Sequence, residues 1–202
     1  MSKIKICVLV SGGGTNLQAL IDAQNSGIII SGEIALVISN RADAFALERA
    51  KKAGIPCETV LKQDYEERFE ARITELLEQN GIDLIVLAGF MCILSADFTA
   101  RFHNRIINVH PSLIPAFCGK GFYGLRVHQA ALDYGVKVTG ATVHFVNEIP
   151  DGGKIIMQKA VEIEEGDTPE VLQRRVMEQA EWHLLPQAAE LVCRKLRNGE
   201  EL

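Results

Sequence analysis

Short runs of β-branched and other apolar residues alternate with amphipathic stretches along the first half of the chain, and this alternation constrains the fold more than any other feature. Residues 4–10, IKICVLV, precede a helical pattern over 16–25. Residues 33–39 precede one over 44–53, residues 57–60 precede one over 65–79, and a fourth strand is expected at 83–88. Strand and helix in alternation specify a parallel sheet with helices on both faces. LIVLA, at 84–88, is a continuous apolar run, as expected of a strand covered on both sides. The expectation is an α/β fold in one domain over 1–202, built on an open, mostly parallel sheet.

The pattern changes after Ile106 and Ile107. Residues 111–124 are a Pro- and Gly-rich loop, 125–134 read as a helix, and two long alternating runs, 136–146 and 154–163, are joined through NEIPDGG. That pair predicts antiparallel strands added to the parallel core near the C-terminal part. DTPE, at 167–170, opens a helix expected to run to residue 196, with Thr168 as N-cap and Pro169 at the first helical position. No internal repeat, low-complexity tract or linker interrupts the chain.

Hydrophobic residues at 48% and charged residues at 23% describe an ordinary globular protein. A net charge of −5 and a pI near 5.6 argue against nucleic acid as a partner, because phosphate backbones are held by clustered Lys and Arg. The apolar run at 4–10 is too short to span a membrane, so a cytoplasmic protein with no membrane partner is expected. Cys7, Cys57, Cys92, Cys118 and Cys193 are scattered and odd in number, which suggests neither a disulfide framework nor a zinc site.

VLVSGGGTNLQAL places Ser11, Gly12, Gly13, Gly14, Thr15 and Asn16 between a buried strand and a helix. Glycines let backbone amides approach an anion, and the first turn of a helix offers unpaired N–H groups with partial positive charge. A phosphate cradle fits this turn. The dinucleotide fingerprint needs a glycine where Leu17 stands, and the phosphate-hydrolase loop needs a Gly-Lys-Ser/Thr that is absent. Tight turning alone explains the glycines as an alternative, and Asn16 can serve as a cap rather than a ligand.

IINVHPSLIPAF, residues 106–117, places Asn108 and His110 two apart at a strand end, where side chains share one side. That end is the carboxyl edge, where open parallel sheets bind ligands. Asp151, in VNEIPDGG, sits in the loop between the two long strands. If that loop folds over the same edge, Asp151 can reach His110, raise its pKa and hold it as imidazolium. An imidazolium beside an amide N–H suits an oxyanion of acyl transfer. Taken singly, each of the three is ordinary strand-end or turn chemistry. His103, His128, His144 and His183 lack paired ligand spacing and read as packing or surface residues, and Trp182 as a core anchor.

SGGGTNLQAL, ISNRADAFALERAKKAGIP, LAGFMCILS, INVHPSLIPAF and VTGATVHFVNEIPDGGKIIMQKAV together resemble the phosphoribosylglycinamide formyltransferase family, over nearly the whole chain. Asn-x-His-Pro-Ser-Leu with Asp-Gly-Gly is characteristic of the wider formyl-tetrahydrofolate hydrolase and transferase superfamily. The first loop resembles the glycinamide ribonucleotide branch. The resemblance implies a Rossmann-like formyltransferase fold. It also implies transfer of a formyl group from 10-formyltetrahydrofolate, as co-substrate, to the amine of 5'-phosphoribosylglycinamide (GAR) in purine (IMP) biosynthesis, without a metal. The partners implied are these small molecules, with the protein a monomer or homodimer.

By resemblance, Asn108, His110 and Asp151 are catalytic, and Gly13, Gly14, Thr15 and Asn16 grip the GAR phosphate with Glu181 near the ribose. Met91, Cys92, Ile93 and Leu94, with Asn147, Glu148, Ile149 and Pro150, hold the folate. Residues 1–105 then form a phosphate- and ribonucleotide-binding half, and 106–202 a catalytic and folate-binding half. The chain departs from the family at Cys92, where an Arg is usual. It also has Glu66, with Arg68 two residues on, where many relatives place an Arg near the folate. Related hydrolases carry an added amino-terminal domain and tRNA formyltransferases an added basic carboxyl-terminal one, and both are disfavoured by this chain's length and acidity. A phosphate-binding module without chemistry leaves the Asn, His and Asp combination unexplained.

Overall fold

Seven strands form one sheet in the order β3-β2-β1-β4-β5-β6-β7. The computed structural model describes residues 2–202. β1 (Ile4–Val10), β2 (Gly32–Ser39), β3 (Cys57–Thr59), β4 (Leu84–Leu87) and β5 (Ile106–His110) are parallel; β6 (Val138–Phe145) and β7 (Ile155–Glu162) continue the sheet antiparallel. The expected architecture of a parallel core with two antiparallel strands added is the one observed.

The helices are α1 (Thr15–Asn25), α2 (Phe45–Lys52), α3 (Lys62–Tyr65), α4 (Phe69–Gln79), α5 (Ala96–Arg101), α6 (Leu125–Tyr134), α7 (Pro169–Val176) and α8 (Trp182–Asn198). Alternating strand residues feed two cores. Ile6, Val8 and Val10 of β1 pack with Leu17 and Leu20 of α1 and with Leu185 and Val192 of α8. Cys7 and Leu9 face the other way, onto Phe69, Ile73 and Leu77 of α4 and Phe98 of α5. This period of two buries both sides of the sheet, so the central strands carry no polar face.

Three expectations are corrected. The helix expected over 65–79 begins earlier, at Lys62, and is broken: Glu66 adopts a positive φ of 47°, and a 3-10 turn, Glu66–Arg68, separates α3 from α4. The helix expected from Thr168 to residue 196 has the predicted cap, Thr168 accepting from the Val171 N–H, and extends to Asn198. It widens, however, into a π turn at Met177–Glu181. α5 was not foreseen; Ser95 caps it, accepting from the Phe98 N–H at 3.1 Å.

The strand order reverses between β1 and β4, because the chain runs outward to β3 and then returns to the far side of β1. In open α/β sheets the crevice at the carboxyl ends of such strands is where ligands bind. Here it is bounded by the turn after β1, the segment after β4 and the end of β5. No helix among the described residues is long and apolar enough to cross a membrane.

Candidate functional site

A cavity of about 990 Å³ opens over those strand ends, lined by Gly12–Asn16 after β1, 87–94 around the end of β4, Asn108–Pro111 and Gly119–Gly124. His144, Val146, Asn147, Glu148, Pro150 and Asp151, with Gln173, Met177 and Glu181, complete it. Of the residues singled out in the sequence, Ile149 alone stays outside; it is 57% exposed and packs against Gly152. Glu181, from the second half of the chain, bonds Asn16 in the turn after β1, and 91–94, from the first half, line the same cavity as Asn147 and Glu148, so both halves of the chain contribute to it.

The turn after β1 is built to present donors. Gly14 is the N-cap of α1, with φ 71°, and a Cβ there would lie 2.6 Å from the Ala46 Cβ, so only glycine serves. A Cβ at Gly12 or Gly13 would meet nothing within 4 Å, so packing does not demand glycine at either position. The Gly12 carbonyl accepts from the Ala46 N–H at 3.0 Å, and the Gly13 carbonyl from Arg49 Nε at 2.8 Å. Because C=O and N–H of a trans peptide point in opposite directions, the amides of Gly13 and Gly14 turn away from α2. Neither has an acceptor among the described residues. With the first turn of α1 they form an anion cradle.

Asn16 does not cap the helix; Gly14 does. Its Nδ2 donates to Glu181 Oε2 at 2.8 Å, and its buried Oδ1 has no partner. Burial raises the Glu181 pKa, an effect the Asn16 hydrogen bond only partly offsets. The π turn ends at Glu181; such one-turn bulges reset the angular phase of a helix and recur at functional sites.

On β5, Asn108 and His110 share one side, as their spacing requires. Opposite Asn108 on β6 stands His144, and opposite His110 stands Thr142. The β6–β7 register shifts between Val143 and His144, a bulge of the kind that re-aims a side chain. His144 Nδ1 faces the Phe145 carbonyl at 2.7 Å and therefore carries the hydrogen. Nε2 is then the acceptor, 3.2 Å from Asn108 Nδ2. This contact orients the Asn108 amide and leaves its second N–H unused.

Asp151 lies over the same edge, in the left-handed region at φ 57°. A Cβ on Gly153 would sit 1.7 Å from the Phe145 carbonyl oxygen, so glycine is what lets the loop fold back this closely. Asp151 Oδ2 is 3.4 Å from His110 Nδ1 and accepts from the Gly119 N–H at 2.8 Å, and Oδ1 is 3.6 Å from His144 Nε2. Burial opposes its charge, but its polar surroundings, with the Gly119 N–H donating to Oδ2, hold its pKa below the usual carboxylate range.

The expectation that Asp151 keeps His110 as a standing imidazolium is corrected. Burial of the ring lowers its pKa, and the Asp151 charge and the Phe117 carbonyl, 2.9 Å from Nε2, only partly counter that. In the free protein at neutral pH the neutral ring prevails, poised beside an ionised carboxylate. His128 of α6, wholly buried with neither ring nitrogen paired, has its pKa lowered to about 4 by burial and by His110.

After β4, the Met91 N–H donates to Ser11 Oγ at 2.7 Å, tying this segment to the turn after β1. Cys92 Sγ accepts from Asn40 Nδ2 at 3.0 Å. The Ile149 N–H donates to Asn147 Oδ1 at 3.0 Å, closing the turn that leads to Asp151. No group of three or more His, Cys, Asp or Glu among the described residues is placed to hold a metal ion. Sequence reasoning assigned no part in the cavity to His144, Lys120, Gln173 or Met177, all of which line it. Only His144 carried a signal, an imidazole on an alternating strand, and its use depends on the β5–β6 register.

The profile of the family described as "Formyl transferase" matches residues 4–189. The chain is 46% identical over 184 residues to the phosphoribosylglycinamide formyltransferase of Haemophilus influenzae, covering 90% of this chain and 84% of that one. It is 44% identical over 193 residues to the trifunctional purine biosynthetic protein adenosine-3 of Bos taurus, covering 95% of this chain but 18% of that much longer protein. Among solved structures, glycinamide ribonucleotide transformylase 1 from Symbiobacterium toebii superposes with a TM-score of 0.88 at 45% identity, covering 95% of this chain and 88% of that one.

Proposed function

The chain belongs to the formyl transferase family, and on that premise we propose that it transfers the formyl group of 10-formyltetrahydrofolate to the amine of GAR, giving formyl-GAR and tetrahydrofolate in purine synthesis. The observation that carries this reading is one cavity joining a turn of unpaired amides to the Asn108, His110 and Asp151 cluster. A phosphate seats on Gly13 to Asn16, with Glu181 beside the sugar. The pterin lies along 91–94 and 147–150 with its formyl carbon at the end of β5. A volume of about 990 Å³ sits at the upper end of the roughly 300 to 1,000 Å³ typical of small-ligand pockets.

Asn108 supplies its unused N–H, and His110 its Nε2–H, to the formyl oxygen as that oxygen gains charge. The Phe117 carbonyl gives up Nε2 when substrate enters. Attack by the GAR amine moves the carbonyl electron pair onto oxygen, and the proton the amine sheds passes by way of the Asp151 carboxylate to His110 Nδ1, leaving an imidazolium beside the oxyanion. The electron pair then returns, and the bond to the folate nitrogen breaks. That nitrogen takes up the proton the amine sheds, with His110 as carrier. Positioning and prepared donors provide the catalysis, each donor contributing roughly 3 to 4 kcal/mol.

The test is a spectrophotometric assay of the purified protein with 10-formyltetrahydrofolate, with and without GAR. Deformylation that requires GAR is expected. Loss of the formyl group without GAR points to a hydrolase, and no reaction in either case overturns the reading.

A further inference from the structure

Both substrates of the proposed reaction are anions: the ribonucleotide brings a phosphate, and the folate a glutamate tail. The cavity is lined by three carboxylates, Glu148, Asp151 and Glu181, yet among the described residues by a single lysine or arginine, Lys120. Cys92, which lines the same cavity, accepts from Asn40 and offers no cation. Arg49, beside the turn after β1, is occupied by the Gly13 carbonyl and by Gln18 Oε1 at 3.1 Å, and it lines a separate cavity between α1 and α8.

Lys120 is exposed and has no ion-pair partner among the described residues. Gly119 and Gly121 flank it with φ of 87° and 97°, conformations that glycine adopts without cost. A Cβ at either would meet nothing within 4 Å, so these glycines serve backbone shape rather than packing. The Gly119 N–H is anchored on Asp151 Oδ2 at 2.8 Å. The backbone beside Lys120 is thereby fixed to the catalytic carboxylate while its ammonium stays free.

We propose that Lys120 is the specificity-determining cation of this site, holding an oxyanion of an incoming substrate, either the ribonucleotide phosphate or the folate tail carboxylate. An ammonium on a glycine-flanked loop attracts the anion from solvent and is drawn over it once bound, and a charge-assisted hydrogen bond is about twice as strong as a neutral one. This inference rests on the proposed formyl transfer for the identity of the anions.

The test is titration calorimetry of the wild type, Lys120→Met and Lys120→Arg with GAR and, separately, with folic acid, at two salt concentrations. Lys120→Met is expected to weaken one ligand by about tenfold and to flatten its salt dependence, with Lys120→Arg restoring most of the affinity. Loss confined to GAR identifies the phosphate; loss confined to folic acid identifies the tail. Both affinities within about twofold of wild type, with unchanged salt dependence, overturn the proposal. A wild type that binds both ligands but transfers no formyl group overturns the proposed reaction, and the same titrations still judge Lys120. A wild type that binds neither overturns both.

Discussion

Asn108 Nδ2 and His144 Nε2 lie 3.2 Å apart across the β5–β6 ladder, so one strand's imidazole fixes which way the neighbouring strand's amide points. If His144 acts by orienting Asn108, His144→Phe lowers kcat by about tenfold while leaving the fold and both KM values near wild type. The double variant with Asn108→Ala is then no slower than Asn108→Ala alone, because the two residues act as one unit. Additive losses in that double-mutant cycle contradict the coupling.

Asp151 raises the His110 pKa against the lowering effect of burial. Removing its charge in Asp151→Asn therefore moves the His110 pKa further down, and the imidazolium forms less readily in the reaction. An NMR titration of the His110 ring checks the sign. A pKa that is unchanged or raised shows that the 3.4 Å contact is not an electrostatic coupling.

His128 gives the fold a measurable pH dependence. Its pKa is lowered from 6.5 to about 4, so between those values the unfolded chain binds a proton that the folded chain does not. Stability then falls as pH drops from 6.5 toward 4, by up to about 3 kcal/mol from this group. His128→Leu is expected to remove that part of the slope. Urea unfolding at pH 7 and pH 4.5 provides the comparison, and an undiminished slope in the variant contradicts the assignment.

Gly153 controls the return of the loop that carries Asp151. A Cβ at this position would collide with the Phe145 carbonyl, so Gly153→Ala forces the backbone apart, at a cost of about 1 to 3 kcal/mol. On the proposed role of Asp151, the variant loses more in kcat than in either KM. Wild-type kcat in a folded Gly153→Ala protein removes the argument for this close approach.

The parallel core was legible because its strands are continuous apolar runs; the residue limits of β1 and α6 are those the periodicity predicts. Asn108 and His110 were legible as a pair because spacing along one strand determines their side. His144 was not, because its partnership arises from the pairing of β5 with β6 and from a bulge, and register across a long connection leaves no local trace. The break at Glu66 and the π turn before Trp182 likewise lie inside unbroken amphipathic patterns, where tertiary contacts override local periodicity. The charge state of His110 was misjudged for a related reason: sequence shows the partner carboxylate but not how deeply the ring is buried.

The central claim is that His110, with Asn108, stabilises the oxyanion of formyl transfer, and the GAR-dependent turnover of His110→Ala measures it most directly. A fall of about 10² to 10³ in kcat is expected, with circular dichroism matching the wild type. Turnover near that of the wild type contradicts the account.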